Sequence, residues 1–190
     1  MNLGKVEYHI DENDEWISEA RVVRSPNFDA RPVPEDIELL VIHGISLPPR
    51  EYGGCFIDQL FTNCLNPEQH PYFAEIQHLQ VSSHLLIDRQ GHLTQYVPLR
   101  DRAWHAGESS FKGREKCNDF SIGIELEGCD EDAYCDVQYK KLAEITNVIC
   151  GRWQKITKDR IVGHCDIAPG RKTDPGPAFN WDYYYSLIKL

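Results

Sequence analysis

Two short apolar runs set what this chain can fold into. Residues 37–42 (IELLVI) and 120–126 (FSIGIEL) are rich in β-branched side chains and too short for core helices. Such runs read as buried strands. Each brings a polar residue that a buried strand does not need. His43 stands at the carboxyl end of the first run, and Glu125 lies inside the second. With a period of two, Ile122 and Ile124 share one face of that strand, and Gly123 and Glu125 share the other.

The remaining pattern completes a mixed architecture. Residues 83–96 read as a hairpin, with apolar segments flanking the turn sequence DRQG at 88–91. Residues 137–152 read as an amphipathic helix capped by Asp136, with Leu142, Ile145 and Ile149 on its apolar face. Residues 56–61 suit one or two helical turns, 160–163 a brief strand, and 181–188 a last helix capped by Asn180. Loops are expected over 46–71, 100–119 and 164–177. Residues 1–36, with Pro26, Pro32 and Pro34, are expected to be an irregular, polar lead-in. Interleaved strands and helices with one hairpin predict an α/β fold, a central mixed β-sheet flanked by helices. At 190 residues the chain suits a single domain spanning 1–190.

Charge narrows the function. Thirty acidic residues against twenty basic ones give a net charge of -10. A surface that acidic repels phosphate backbones and anionic lipid, so the expected partners include no nucleic acid and no membrane. The seven cysteines are odd in number and form no CxxC pair, which suits reduced thiols in a cytoplasmic protein. The first twenty residues carry Glu7, Asp11, Glu12, Asp14, Glu15 and Glu19, unlike the basic and then apolar start of a secretory signal. A monomer is expected.

The candidate chemistry starts from His43 and His164, one at the end of a strand and one opening the loop after another. Asp174 follows in that loop. Histidine and carboxylate ligands of this kind can converge on zinc while leaving one side open. On spacing alone, Cys165 and Asp166 compete with Asp174 for the third position, and either histidine would serve equally as a hydrogen-bonded loop residue. Glu125 either faces a cleft as a general base or alternates out to solvent with Glu127. Lys172, two residues before Asp174, is placed either to stabilise an oxyanion or to sit solvated at the surface.

Four segments in order carry a resemblance: VIHGIS at 41–46, AWHAG at 103–107, CNDFSIGIELEG at 117–128 and GHCDIAPGRKTDPGP at 163–177. Together they resemble the zinc-dependent N-acetylmuramoyl-L-alanine amidases, most of all the AmpD-type cytoplasmic branch that cleaves 1,6-anhydromuramoyl peptides. The resemblance implies Zn2+ held by His43, His164 and Asp174, with Glu125 as catalytic acid/base and Lys172 beside it. It implies a small muropeptide substrate cut between the lactyl group of N-acetylmuramic acid and L-alanine, in peptidoglycan recycling that limits β-lactamase induction.

Ser83 stands where the related phage lysozyme-like amidases have a tyrosine, which assigns the base to Glu125. Asp174 stands where those enzymes tend to use cysteine. Trp104 and His105 are expected to wall the pocket. Arg114 and Lys116, with Arg171 and Lys172, are expected to meet substrate carboxylates. Gly44 replaces a common asparagine, and Gln80 and Lys116 replace common arginines, changes that bear on substrate affinity. Two other readings share the fold. A peptidoglycan-recognition module binds without cleaving but usually lacks a metal ligand. An amidase of the intact wall must be exported.

Overall fold

The computed structural model describes residues 7–11 and 16–189. In chain order its elements are β1 (Arg21–Val22), β2 (Phe28–Asp29), β3 (Leu39–Ile45), α1 (Phe56–Phe61), α2 (Pro71–Ile76), β4 (Leu85–Ile87) and β5 (Leu93–Gln95). Then follow β6 (Arg102–Ala103), β7 (Ser110–Phe111), β8 (Arg114–Glu115), β9 (Ser121–Glu127), α3 (Asp136–Arg152), β10 (Ile161–Gly163), α4 (His164–Ile167) and α5 (Trp181–Leu187).

Six strands form the main sheet in the order β1-β5-β4-β9-β3-β10. Only the β4–β5 hairpin is antiparallel; every other neighbouring pair is parallel. The sheet is therefore mixed, and helices cover it. The two longest strands are β3 and β9, the expected apolar runs; β9 is buried throughout and β3 in all but its last two residues. Their lower face carries Leu40, Ile42, Ile122, Ile124 and Leu126, packed with Leu142, Ile145 and Ile149 of α3 and Tyr184 of α5.

The upper face is where polar groups collect. The β3–β9 register sets His43 directly beside Glu125, and β4 sets Leu86 on the other side of Glu125. Two satellite cores flank this strip. One joins Leu86 to Leu60 and Phe61 of α1, Phe73 of α2 and Tyr96, and the other joins Leu39 and Val41 to Ala106, Phe120 and Ile167.

Several boundaries differ from the sequence reading. His43 lies inside β3, with Gly44 and Ile45 following it, rather than at its end, and His164 opens a helical turn instead of a loop. The lead-in is not wholly irregular: β1 adds to the sheet beside β5, and β2 pairs with β6. Residues 1–6 and 12–15 of that lead-in lie outside the described residues. Asp136 is the first residue of α3 rather than its cap; Cys135 caps it, and its N–H donates to the Gln138 side chain at 3.0 Å. The helix α2 was not expected, and its start is closed by His70, whose Nδ1 accepts from the Tyr72 amide.

Arg31, in the same lead-in, is 4% exposed. Its guanidinium donates to the carbonyls of Arg100, Asn118, Leu99 and Ser121. The long loop is thus tied to the start of β9 by one buried side chain. Each of the seven cysteines is a free thiol. Among the described residues no helix is long and apolar enough to cross a membrane.

Candidate functional site

Three side chains from distant parts of the chain meet above the sheet. His43 Nδ1 lies 3.0 Å from His164 Nδ1 and 3.2 Å from Asp174 Oδ2. His164 Nδ1 lies 3.1 Å from the same oxygen. Both histidines are buried, and Asp174 is partly so. The parallel β3–β10 pairing brings His164, the residue after β10, alongside His43. Asp174 is carried back by the α4 turn, and its carbonyl accepts from the Cys165 amide at 3.0 Å.

The donor set fits zinc. A tetrahedral ion with bonds near 2.0–2.1 Å holds its ligand atoms roughly 3.3 Å apart, close to the spacings observed. His164 Nε2 donates to the Ala106 carbonyl at 3.1 Å, which leaves its Nδ1 as a bare lone pair. That lone pair faces a carboxylate oxygen, an arrangement that a cation relieves. Asp166 and Cys165 take no part in this group. Asp166 instead accepts from the Gly163 amide at 2.7 Å.

The electrostatics agree with a ligand triad. Burial pushes His43 down to about 4, against the pull of Asp174, so its imidazole is neutral at physiological pH. Burial alone would raise Asp174, but the His164 and His43 rings set against its Oδ2 outweigh that and hold the carboxyl below the usual range.

Glu125 does not alternate out to solvent. It is 8% exposed, and its Oε2 is buried without a hydrogen-bond partner among the described residues. Burial, reinforced by the charge of Asp174 and opposed by Lys172, pushes its pKa well above the ordinary value. Glu127, on the same face, is also buried, and accepts from the amides of Gly53 and Arg89. Two carboxylates two residues apart thus have different work, one satisfied by backbone and one left bare.

His43, Gly44, Trp104, His105, Glu125, His164, Lys172 and Asp174 line one cleft of about 280 Å³. Its far wall is apolar, built from Leu60, Phe61, Tyr72, Ile76, Leu79 and Val81. Sequence reasoning missed the part of that wall on α2, Tyr72 and Ile76, because this six-residue helix is too short to show a helical period. Trp104 is anchored by its indole N–H to Asp29 at 3.3 Å.

Two expected substrate contacts are placed elsewhere. The Arg114 guanidinium is bound by Asp36 at 2.7 Å and Glu38 at 3.3 Å and lies over the Phe120 ring, outside the cleft lining. Lys116 lines a separate cavity of about 610 Å³ together with Glu108, Glu115 and Arg171. Arg171 itself donates to the carbonyls of Ala106 and Glu108, both at 2.6 Å. His105 does reach the cleft, but its ring is buried behind His43, with Nδ1 at 2.9 Å from His43 Nε2. Gly44 leaves room for Tyr134: a Cβ there would lie 2.3 Å from the tyrosine oxygen. Ser83 donates its hydroxyl to the Gly123 carbonyl.

A family model described as N-acetylmuramoyl-L-alanine amidase (Amidase_2) matches residues 33–177. The 1,6-anhydro-N-acetylmuramyl-L-alanine amidase AmpD of Haemophilus influenzae is 59% identical over 173 residues, 91% of this chain and 94% of that protein. A crystal structure of a selenomethionine derivative of AmpD superposes with a TM-score of 0.91 at 56% identity, covering 95% of this chain and 99% of that one. The amidase AmiD from E. coli, in complex with anhydro-N-acetylmuramic acid-L-Ala-D-gamma-Glu-L-Lys, superposes with a TM-score of 0.60 at 30% identity. That match covers 85% of this chain and 62% of AmiD.

Proposed function

The chain belongs to the N-acetylmuramoyl-L-alanine amidase family, in its AmpD-type branch, and from that premise we propose that it hydrolyses 1,6-anhydromuramoyl peptides with zinc held by His43, His164 and Asp174. The bond cut is the amide between the lactyl carbonyl of the anhydro-sugar and L-alanine. The observation that carries this reading is the buried, unpartnered Glu125 Oε2 one strand away from the three converged ligand atoms.

Zinc in that position supplies Lewis acidity, polarising a carbonyl and acidifying water near neutral pH. The chain's residues do the rest. Glu125 Oε2, free of any other hydrogen bond among the described residues, takes the proton from the attacking water. The water oxygen bonds to the lactyl carbonyl carbon. The C–N bond breaks, and Glu125 returns the proton to the leaving alanine nitrogen. The products are the lactyl carboxylic acid of the sugar and a stem peptide with a free amino terminus. The Lys172 ammonium, in the same cleft, stabilises negative charge on the carbonyl oxygen. Trp104, Tyr72, Ile76 and Leu79 shape the wall against which the sugar and the first alanine lie.

The acidic surface and the free thiols support a monomeric cytoplasmic enzyme that acts on released muropeptides, with neither nucleic acid nor membrane as partner. In bacteria whose β-lactamase responds to muropeptides, this hydrolysis keeps the inducing signal low.

The test mixes zinc-loaded protein with an anhydromuramoyl tripeptide and, separately, with intact peptidoglycan, and follows peptide release by mass spectrometry. Release from the anhydro-substrate alone, lost in Glu125→Ala, is the expected result. Release from intact wall as well would place the enzyme among lytic amidases. No release from either, with zinc bound, would leave a recognition module.

A further inference from the structure

We propose that His105 is a positioning residue: it fixes the tautomer of His43 so that the Nδ1 lone pair, and not an N–H, faces the metal. This inference deepens the zinc reading above and rests on it.

The hydrogen-bond relay begins at a group that can only accept, a backbone carbonyl. The Cys117 carbonyl lies 2.6 Å from Ser121 Oγ, so the hydroxyl proton points there. The lone pair of that hydroxyl faces His105 Nε2 at 3.1 Å, which must therefore carry hydrogen. A neutral imidazole with hydrogen on Nε2 has a bare Nδ1. His105 Nδ1 lies 2.9 Å from His43 Nε2, so His43 donates there. Its remaining nitrogen, Nδ1, is bare, and it is the atom that meets His164 and Asp174. The polarity of one backbone carbonyl is thus passed through a hydroxyl and a ring to a metal ligand. Reversing His43 would set two N–H groups against each other across 2.9 Å in the protein interior.

Burial keeps the relay from being rewritten by solvent: Cys117 and Ser121 are fully buried and His105 is 9% exposed. The space for it is written into β9. A Cβ on Gly123 would lie 2.6 Å from both Cγ and Nδ1 of His105, so only glycine admits the ring at that depth. The backbone around it is held as well, since Asn118 Oδ1 accepts from the amides of His105 and Ala106 at 3.2 and 2.8 Å. The Ala106 carbonyl then does for His164 directly what His105 does for His43. The AWHAG and CNDF segments therefore orient both metal histidines from behind.

The experiment measures zinc affinity by chelator competition in the wild type, His105→Phe and His105→Asn, with thermal melts of each metal-free protein. Long-range 1H–15N spectra of the metal-free wild type report the His43 tautomer directly. Phenylalanine keeps the ring but accepts nothing, so affinity falls about 10- to 100-fold. Asparagine restores an acceptor near the Nδ1 position and recovers most of it. The spectra show hydrogen on His43 Nε2. Hydrogen on Nδ1 overturns the proposal, as does unchanged zinc affinity in a folded His105→Phe. Should that variant fail to fold, the tautomer in the wild type decides alone. A wild type that binds no zinc overturns the metal reading itself and the inference with it.

Discussion

Replacing Arg31 by methionine should destabilise the protein by about 3–5 kcal/mol although Arg31 lines no part of the cleft. The side chain is 4% exposed, and among the described residues no carboxylate lies within ion-pair distance of it. Its charge is held by four carbonyls, at 2.8 Å for Asn118 and Ser121, 2.9 Å for Arg100 and 3.3 Å for Leu99. Burial pulls the guanidinium down to about 10, so it stays protonated at neutral pH. Hydrogen bonds to a charged donor are worth about 1.5–3 kcal/mol each, and desolvating the cation takes back several kcal/mol. The intact knot is therefore only modestly favourable. The loss comes from the other side: methionine fills the volume but leaves carbonyls facing a thioether, each costing about 1–3 kcal/mol when orphaned. Urea unfolding should show a lower midpoint with an unchanged slope, and a melting temperature lower by about 10 °C. Arg31→Lys should lose about half as much, because three donors on one atom cannot span four carbonyls. A loss below about 1 kcal/mol for methionine, at unchanged slope, would mean that those carbonyls find other partners and that Arg31 is not what satisfies them.

Gly44→Ala should destabilise by about 1–3 kcal/mol through overpacking, since the new Cβ meets the Tyr134 oxygen at 2.3 Å. The same change in a Tyr134→Phe background should be nearly neutral, because the next atoms lie at 3.5 and 3.6 Å; equal losses in both backgrounds on a double-mutant cycle would contradict this. Burial, helped by the charge of Arg31, lowers His84 from 6.5 to about 3. Its folded pKa lies below its unfolded one, so the unfolded chain binds the proton first and stability drains as pH falls through that window. The slope is about 1.4 kcal/mol per pH unit. His84→Asn keeps an acceptor for the Gly123 amide and should flatten acid titrations followed by circular dichroism; an unchanged profile would count against the assignment. Lys172→Met should lower kcat about 10²- to 10³-fold with little change in zinc affinity, measured by steady-state kinetics and chelator competition. A selective rise in KM would instead make Lys172 a substrate-binding residue.

The apolar runs and motifs of the chain were enough to place the inner strands of the sheet and to point at the polar groups they carry. Two short apolar runs marked β3 and β9, and the period of two in the second put Glu125 opposite the face of Ile122 and Ile124. The four ordered motifs pointed to His43, His164 and Asp174, and these three side chains do converge. Tertiary structure decided everything that depended on distance between segments. Spacing left Cys165 and Asp166 as rivals to Asp174, and only the return of the chain past α4 brought Asp174 to 3.1 Å from His164. Arg114 and Lys116 looked alike as basic loop residues, yet one is absorbed by Asp36 and Glu38 and the other opens onto a different cavity. Glu125 and Glu127 share a strand face, and what separates them is whether backbone amides reach them. Hydrophobic periodicity is a local signal, and it encodes which way a side chain points. A hydrogen-bond partner or a fellow ligand is a property of strand register and loop closure, and no window along the chain contains both ends of it.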